Sequence, residues 1–174
     1  MEQAPLILTL SLDSEAQAYF NGLRKEHFPA HRNYLDAHLT LFHHLTVPQP
    51  ELAETLLQVS QPQTAFALHV TELMSLGKGV AFRIESEILQ LLHTQLQKDW
   101  LPTLTAQDQQ KLRPHITIQN KVDPATAKEL KNALELDFEP FTTTATGLTL
   151  WEYQNGPWQF LKQFNFKATG KRAR

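Results

Sequence analysis

Alternating apolar and polar segments predict a chain in which strands and helices follow one another. The apolar run at residues 6–12 predicts a strand, and Asp13 or Ser14 can cap a helix over about residues 15–28. A short strand is predicted in the segment AHLTLFHHL, which prolines 48 and 50 end. The later predicted elements are, in chain order, a helix through about Val59, two strands between Phe66 and Ile84 that turn at Gly77-Lys78-Gly79, a helix over 85–100, a strand in HITIQNKV, a helix from Pro124 to about Leu136, and strands near 143–151 and 158–166.

The order of these elements contains a weak internal repeat. Each half of the chain runs strand, helix, histidine-containing strand and helix. The helix that follows each histidine-containing strand begins at a proline in both halves. This pattern predicts two similar lobes in which the histidine-containing strands occupy equivalent positions.

The candidate chemistry lies in two short motifs, HLTL at residues 38–41 and HITI at residues 115–118. Residues two apart in a strand share a face, so each motif separates its aliphatic residues from a polar pair. The polar pairs are His38 with Thr40 and His115 with Thr117. An imidazole and a hydroxyl are poor core material unless they are hydrogen-bonded. The alternatives are two histidines satisfied by backbone partners on a half-exposed sheet, or two strands that together line a polar groove.

A groove with two imidazoles and two hydroxyls is suited to a phosphate group. Imidazole titrates near neutral pH, so one ring can accept a proton while the other donates one, which typically contributes ~10²–10⁴-fold in rate. The threonine hydroxyls can donate hydrogen bonds to phosphate oxygens. Two imidazoles need no metal to move protons, and no HExxH-like or clustered carboxylate spacing supports the rival hypothesis of a metal hydrolase.

Composition and charge narrow the classes of function. The chain has no cysteine, which excludes disulfides, thiolate metal sites and cysteine nucleophiles. Its net charge of −2 is unlike the strong basic excess of general nucleic-acid binders, so any contact with nucleic acid is expected to be local. The basic tail KATGKRAR is either a solvated terminus or a contact for a polyanion.

No apolar stretch approaches the ~20 residues that span a bilayer, and the first residues lack the basic start of a signal peptide. We therefore expect a soluble, cytoplasmic protein with no membrane contact.

Four further residues are candidates for substrate binding. Arg113 precedes the second motif, where a cation can steady phosphate charge, but a surface salt bridge is the alternative. Lys121 is a similar case with less support. Trp151 and Tyr153 lie with Trp158 around the last predicted turn, where aromatic rings either stack a base or close a core.

The two motifs and their flanks, AHLTLFHHL and LRPHITIQNK, resemble the signature motifs of the 2H phosphoesterases, also called the 2′-5′ RNA ligase-like or cyclic phosphodiesterase superfamily. The resemblance covers nearly the whole chain. It implies a single bilobed α+β domain over residues 1–174, with pseudo-two-fold symmetry, two mainly antiparallel sheets that line a central cleft, and helices outside.

The same resemblance implies that His38 and His115 are catalytic and that Thr40 and Thr117 bind phosphate, without a metal or another cofactor. The implied substrates are RNA termini or small nucleotides with a 2′,3′-cyclic phosphate or a 2′-linkage. We expect the chain to act as a monomer. A 5′-hydroxyl in place of water makes the same site a ligase. The alternative from another class is a non-catalytic module that binds an RNA end or nucleotide through the same groove.

Overall fold

The computed structural model describes residues 3–169, in which four α-helices surround seven strands. The elements are β1 Leu6–Leu12, α1 Ser14–His27, β2 Leu39–Leu45, α2 Gln49–Ser60, β3 Phe66–Ser75, β4 Val80–Glu85, α3 Glu87–Trp100, β5 His115–Gln119, α4 Pro124–Glu135, β6 Phe141–Tyr153 and β7 Trp158–Asn165. The predicted order of strands and helices is confirmed. The tail cations Lys171, Arg172 and Arg174 lie outside the described residues.

Side-chain caps set where the helices begin. A carboxylate oxygen of Asp13 accepts a hydrogen bond from the Ala16 amide at 2.8 Å, and the other oxygen accepts one from the Thr144 amide at 2.9 Å. Asp13 therefore starts α1 and also ties it to β6. Ser86 caps α3, and Asp123 caps α4. Each such cap typically contributes ~1 kcal/mol of stability.

The strands form one curled sheet in the order β2-β1-β6-β3-β4-β5, with β7 paired to β6. All pairings between these strands are antiparallel, which confirms the α+β class. The two lobes join through the long strand β6, which pairs with β3 over its first five residues, with β1 from Ala145 onward and with β7 from Gly147 onward. The two predicted sheets are thus the two ends of one continuous hydrogen-bonded sheet.

The two repeats exchange helices across this sheet. We refer to residues 6–60 as the N-terminal half and residues 80–135 as the C-terminal half. Phe20 of α1 packs edge-on against Phe82 of β4, with ring centroids 5.3 Å apart. In return, His93 of α3 stacks on Phe42 of β2 at 4.6 Å. Each half therefore supplies part of the apolar support under the other half's strands.

The curl of the sheet determines where the two motifs meet. β2 and β5 are the two ends of the strand path, so neither is hydrogen-bonded on its outer edge to another strand of that path. The sheet curls until these two end strands contact one another. No helix among residues 3–169 is long and apolar enough to cross a bilayer.

Candidate active site

The first polar pair lies at the beginning of β2. Leu39 and Leu41 are buried, whereas His38 and Thr40 are half-buried on the other face. Thr40 is the register partner of Thr9 on β1, so these two side chains point to the same face of the sheet. The alternation in HLTL therefore produces the predicted division into an aliphatic and a polar side.

The second polar pair repeats this arrangement on β5. Ile116 and Ile118 are fully buried, while His115 and Thr117 are half-buried. His115 is the register partner of Arg83 on β4. The two motifs thus have the same orientation on the two end strands of the sheet.

Both histidine rings are held in the same way. The carbonyl of Asp36 lies 2.8 Å from Nδ1 of His38, and the carbonyl of Arg113 lies 2.8 Å from Nδ1 of His115. A carbonyl oxygen can only accept a hydrogen bond, so each Nδ1 is the donor. This bond fixes the ring and leaves Nε2 as the nitrogen that can take up or release a proton.

The two rings lie close enough to influence one another. Burial is the main cause that lowers the pKa of His38 to about 4, and the charge of His115 contributes in the same direction. Trp158 covers one side of His38, with ring centroids 4.7 Å apart. At neutral pH His38 is therefore an uncharged imidazole, which is the form that can accept a proton.

A cavity of about 440 Å³ opens beside His38. Trp151, Trp158 and Phe160 contribute its aromatic wall. Its polar residues are bonded to one another: the Ser11 hydroxyl lies 2.7 Å from that of Thr149, and two further bonds join the Gln163 side chain to these hydroxyls at 3.1 Å. The lining contains no lysine or arginine, so this cavity is suited to an uncharged planar group.

The other predicted binding residues lie in different places. Trp151 lines the cavity, and its indole donates to the Thr9 hydroxyl at 2.9 Å. Tyr153 is exposed at the end of β6 and does not line the cavity. Arg113 presents its carbonyl to His115, while its exposed side chain lines a second cavity of about 850 Å³ in the C-terminal half. Lys121 is exposed beyond the end of β5 opposite to His115.

Sequence reasoning missed two buried charged residues that connect the halves. The Arg24 guanidinium, on α1, donates to the Thr117 carbonyl on β5 at 3.1 Å. The Asp108 carboxylate, in the connection before β5, accepts from the amides of His43 and His44 on β2 at 2.9 Å. Each charge therefore bonds to the end strand of the opposite half. Neither position carries a local signal, because an arginine on a helix and an aspartate in a loop are normally solvated.

The histidines outside the motifs have structural partners or exposed positions. The His93 ring is buried, and its Nε2 donates to the Leu41 carbonyl at 3.0 Å. His43 and His44 are exposed on β2 and bind Asp108 through their amides, and Nδ1 of the His43 ring also lies 3.3 Å from an Asp108 carboxylate oxygen. Within residues 3–169, no group of three or more histidine, aspartate or glutamate side chains is placed to hold a metal ion.

Residues 12–157 match the model of a family described as the 2′-5′ RNA ligase superfamily. Escherichia coli LigT complexed with NADP+ has 19% identity and a TM-score of 0.58 over 96% of this chain and 99% of that chain. Escherichia coli LigT complexed with 3′-AMP has 17% identity and a TM-score of 0.60 over 95% and 99% of the two chains. TT0787 of Thermus thermophilus has 15% identity and a TM-score of 0.64 over 95% and 100%. No curated protein matches the chain. At these identities the solved structures show a shared fold.

Proposed function

Because the chain belongs to the 2′-5′ RNA ligase superfamily, we propose that it is a metal-independent phosphodiesterase for 2′,3′-cyclic phosphates or 2′-linked phosphodiesters of RNA ends or nucleotides. One observation carries the proposal. Two histidines on the two end strands are each fixed through Nδ1 by a backbone carbonyl, and the end strands contact one another. Such a pair can remove one proton and supply another at a single phosphorus atom.

The proposed reaction uses the two Nε2 atoms in sequence. One ring takes a proton from water as the water oxygen forms a bond to phosphorus. The bond from phosphorus to a ribose oxygen breaks, and the other ring gives its proton to that oxygen. A 2′,3′-cyclic phosphate opens in this way to a 2′-phosphate. When a ribose 5′-hydroxyl takes the place of water, the same steps join two RNA ends.

The two threonines are proposed to hold the phosphate between the rings. Thr40 and Thr117 share the faces of His38 and His115 and are half-buried, so a hydroxyl stands beside each imidazole. A hydroxyl can donate to a non-bridging oxygen, which gains negative charge as the bond to water forms.

The cavity beside His38 is proposed to bind the nucleoside that carries the phosphate. Its aromatic wall can stack a base, its bonded hydroxyls and amide present a fixed polar surface, and its lining lacks cations for a phosphate chain. LigT, which shares the fold, forms complexes with 3′-AMP and ATP. We propose that this chain likewise takes a small nucleotide or the last nucleotide of an RNA.

A panel of nucleoside 2′,3′-cyclic monophosphates and 2′-5′-linked dinucleotides tests the function. We expect turnover that persists in excess chelator and that falls by about 10²–10⁴-fold in His38→Ala and in His115→Ala, with both variants folded. His44→Ala, which removes an exposed imidazole from β2, is the matched control and should keep wild-type rates. Nucleotide binding without turnover would favour the non-catalytic module, and turnover that chelator abolishes would overturn the metal-independent mechanism.

A further inference from the structure

Arg24 is a buried cation with an unusual set of partners. Its relative exposure is 5%, and the salt bridges found among residues 3–169 do not include it. Instead, Nε donates to the Asn33 side-chain oxygen at 2.8 Å and to the Leu35 carbonyl at 3.0 Å, while Nη1 donates to the Thr117 carbonyl at 3.1 Å. A buried charge is costly unless it is well bonded, so this arrangement requires a reason.

The partners of Arg24 are the segments that carry the two motifs. Leu35 precedes Asp36, the residue whose carbonyl holds the His38 ring, and Thr117 is the threonine of the second motif. The planar guanidinium presents its donors in a rigid fork. One side chain therefore fixes the backbone before His38 relative to the strand that carries Thr117 and His115.

Two neighbours on α1 extend this support. Gln17 donates to the Ala37 carbonyl at 2.8 Å, and the side-chain oxygen of Asn21 accepts from the Ala37 amide at 2.8 Å. These residues and Arg24 lie at three- and four-residue intervals, which places them on one helix face. This helix face holds the segment before His38, and that segment is not itself paired with a strand.

The C-terminal half performs the equivalent task without a charge. Gln97 holds the same place in α3 as Arg24 in α1, because both helices have 14 residues and both residues lie three before the last one. Gln97 donates to the carbonyls of Asp108 and Gln110, in the connection that leads to His115. The positional repeat is preserved, whereas a neutral amide stands where the N-terminal half has a guanidinium.

We propose that Arg24 is a positioning residue that holds His38 in register with the opposite half, and that its buried charge adds to the burial that keeps His38 uncharged and able to act as the general base. This assignment rests on the proposed function. It leaves His115 to donate the proton to the departing ribose oxygen. Arg24 acts through His38 and its backbone, and no contact between Arg24 and the substrate is part of the proposal.

The charges around His38 agree with this assignment. Besides burial, the positive charges of Arg24, His115 and His43 disfavour its protonated form, and the hydrogen bond to the Asp36 carbonyl opposes them only in part. Burial also lowers the pKa of Arg24 to about 10, and the nearby Asp36 carboxylate acts in the opposite direction. Arg24 therefore stays charged at neutral pH, where His38 is neutral.

NMR titration of the His38 ring in the substrate-free protein, together with the pH profile of kcat/KM, separates charge from geometry. Arg24→Gln removes the charge and introduces the residue type that the C-terminal half has at the corresponding position, Gln97. We expect the His38 titration and the acidic limb of kcat/KM to move up by about one pH unit. Arg24→Lys keeps a charge but loses the fork, so kcat should fall about 10-fold or more while the His38 titration stays low. Lys25→Gln, which removes an exposed cation from the adjacent position, should leave both unchanged.

An unshifted His38 titration in Arg24→Gln would overturn the charge assignment, and a wild-type kcat in Arg24→Lys would overturn the positioning role. If Arg24→Gln does not fold, Arg24→Lys decides alone. A raised pKa of His38 in Arg24→Lys, which keeps the positive charge, would contradict the charge assignment. The NMR titration needs no substrate. If the protein shows no turnover but the pKa of His38 is low and depends on Arg24, the role of Arg24 is supported while the proposed function fails.

Discussion

In the N-terminal half the carbonyl of Asp36 fixes the His38 ring, and in the C-terminal half the carbonyl of Arg113 fixes the His115 ring at the same distance. Behind these rings the halves differ. His38 is covered by Trp158 and lies near the buried Arg24. In the C-terminal half, the helix position that corresponds to Arg24 is the neutral Gln97. The repeated strand thus duplicates the orientation of the ring, while the surroundings that are particular to the N-terminal half keep His38 uncharged.

The halves also exchange buried charges. Arg24 bonds to a carbonyl of β5, and Asp108 bonds to two amides of β2. Exposed end strands present unpaired backbone groups that can recruit other chains. A cation can donate hydrogen bonds to the carbonyl and an anion can accept them from the amides, so each charge pairs backbone groups of an end strand and links the two halves.

The largest expected effect concerns the equivalence of the two histidines. The single substitutions His38→Ala and His115→Ala should each slow turnover by about 10²–10⁴-fold. The double variant should be about as slow as the slower single variant, because groups that act as a unit have strongly non-additive effects. Single-turnover rates with a nucleoside 2′,3′-cyclic phosphate measure this. Losses that multiply in the double variant would show that the histidines act independently.

The next effect concerns the two threonines. Thr40→Val and Thr117→Val keep the side-chain shape and remove the hydroxyl, so each should lower kcat/KM by roughly 10–100-fold, the value of a hydrogen bond to a charged group. The control Thr142→Val changes an exposed threonine of β6 and should be silent. Steady-state kinetics suffice for the comparison. If one motif threonine proves dispensable, the two halves do not hold the phosphate in the same way.

Two aromatic residues at the same end of the β6–β7 pair should differ in their effect on affinity. Trp158→Ala removes a wall of the cavity beside His38 and should weaken nucleotide binding by about 5–150-fold, the range of one base–aromatic stack. Tyr153 is the register partner of Trp158 but does not line the cavity, so Tyr153→Ala should weaken nucleotide binding less. Calorimetry with a nucleoside 2′-monophosphate measures both. Equal losses would place the base outside the cavity.

The smallest expected effect is on stability and tests the exchange of charges. Burial alone would raise the pKa of Asp108, but the hydrogen bond with the His43 side chain and the bonds from the amides of His43 and His44 outweigh burial and lower that pKa. The stabilisation is therefore complete above the pKa of an unfolded aspartate, about 3.9, and is lost as pH falls through the folded value. Asp108→Asn should cost about 1–3 kcal/mol of unfolding free energy at pH 7.

Urea unfolding at pH 7 and in acid checks this prediction. The difference in unfolding free energy between wild type and Asp108→Asn should shrink in acid, because the wild-type carboxylate then takes up a proton. A difference that is independent of pH would show that the carboxylate charge does not stabilise β2. Asp99→Asn, an exposed residue of α3, is the matched control.

The sequence could predict what depends on local alternation. The pattern of HLTL and HITI places His38 with Thr40 and His115 with Thr117, and the family resemblance carried by these motifs is confirmed. The roles of these four residues stay predictions. Capping by Asp13 was equally readable, because its bond to Ala16 is local.

Contacts between distant segments could not be predicted in this way. Arg24 reaches β5 and Asp108 reaches β2 only because the sheet curls and the helices exchange sides. The same reason separates Trp151 from Tyr153: both were candidates from one cluster, and register and curl place only Trp151 in the cavity wall. A lysine near a motif in sequence, Lys121, lies beyond the far end of its strand.

The proposed mechanism requires that the two imidazoles flank one phosphorus atom. Titration of the protein with a nucleoside 2′-monophosphate, followed by NMR of the ring signals of His38 and His115, tests this requirement. We expect both rings to shift along one saturation curve with a single Kd, and His44 to stay unchanged. A shift of only one of the two rings, or two curves with different Kd values, would contradict the mechanism.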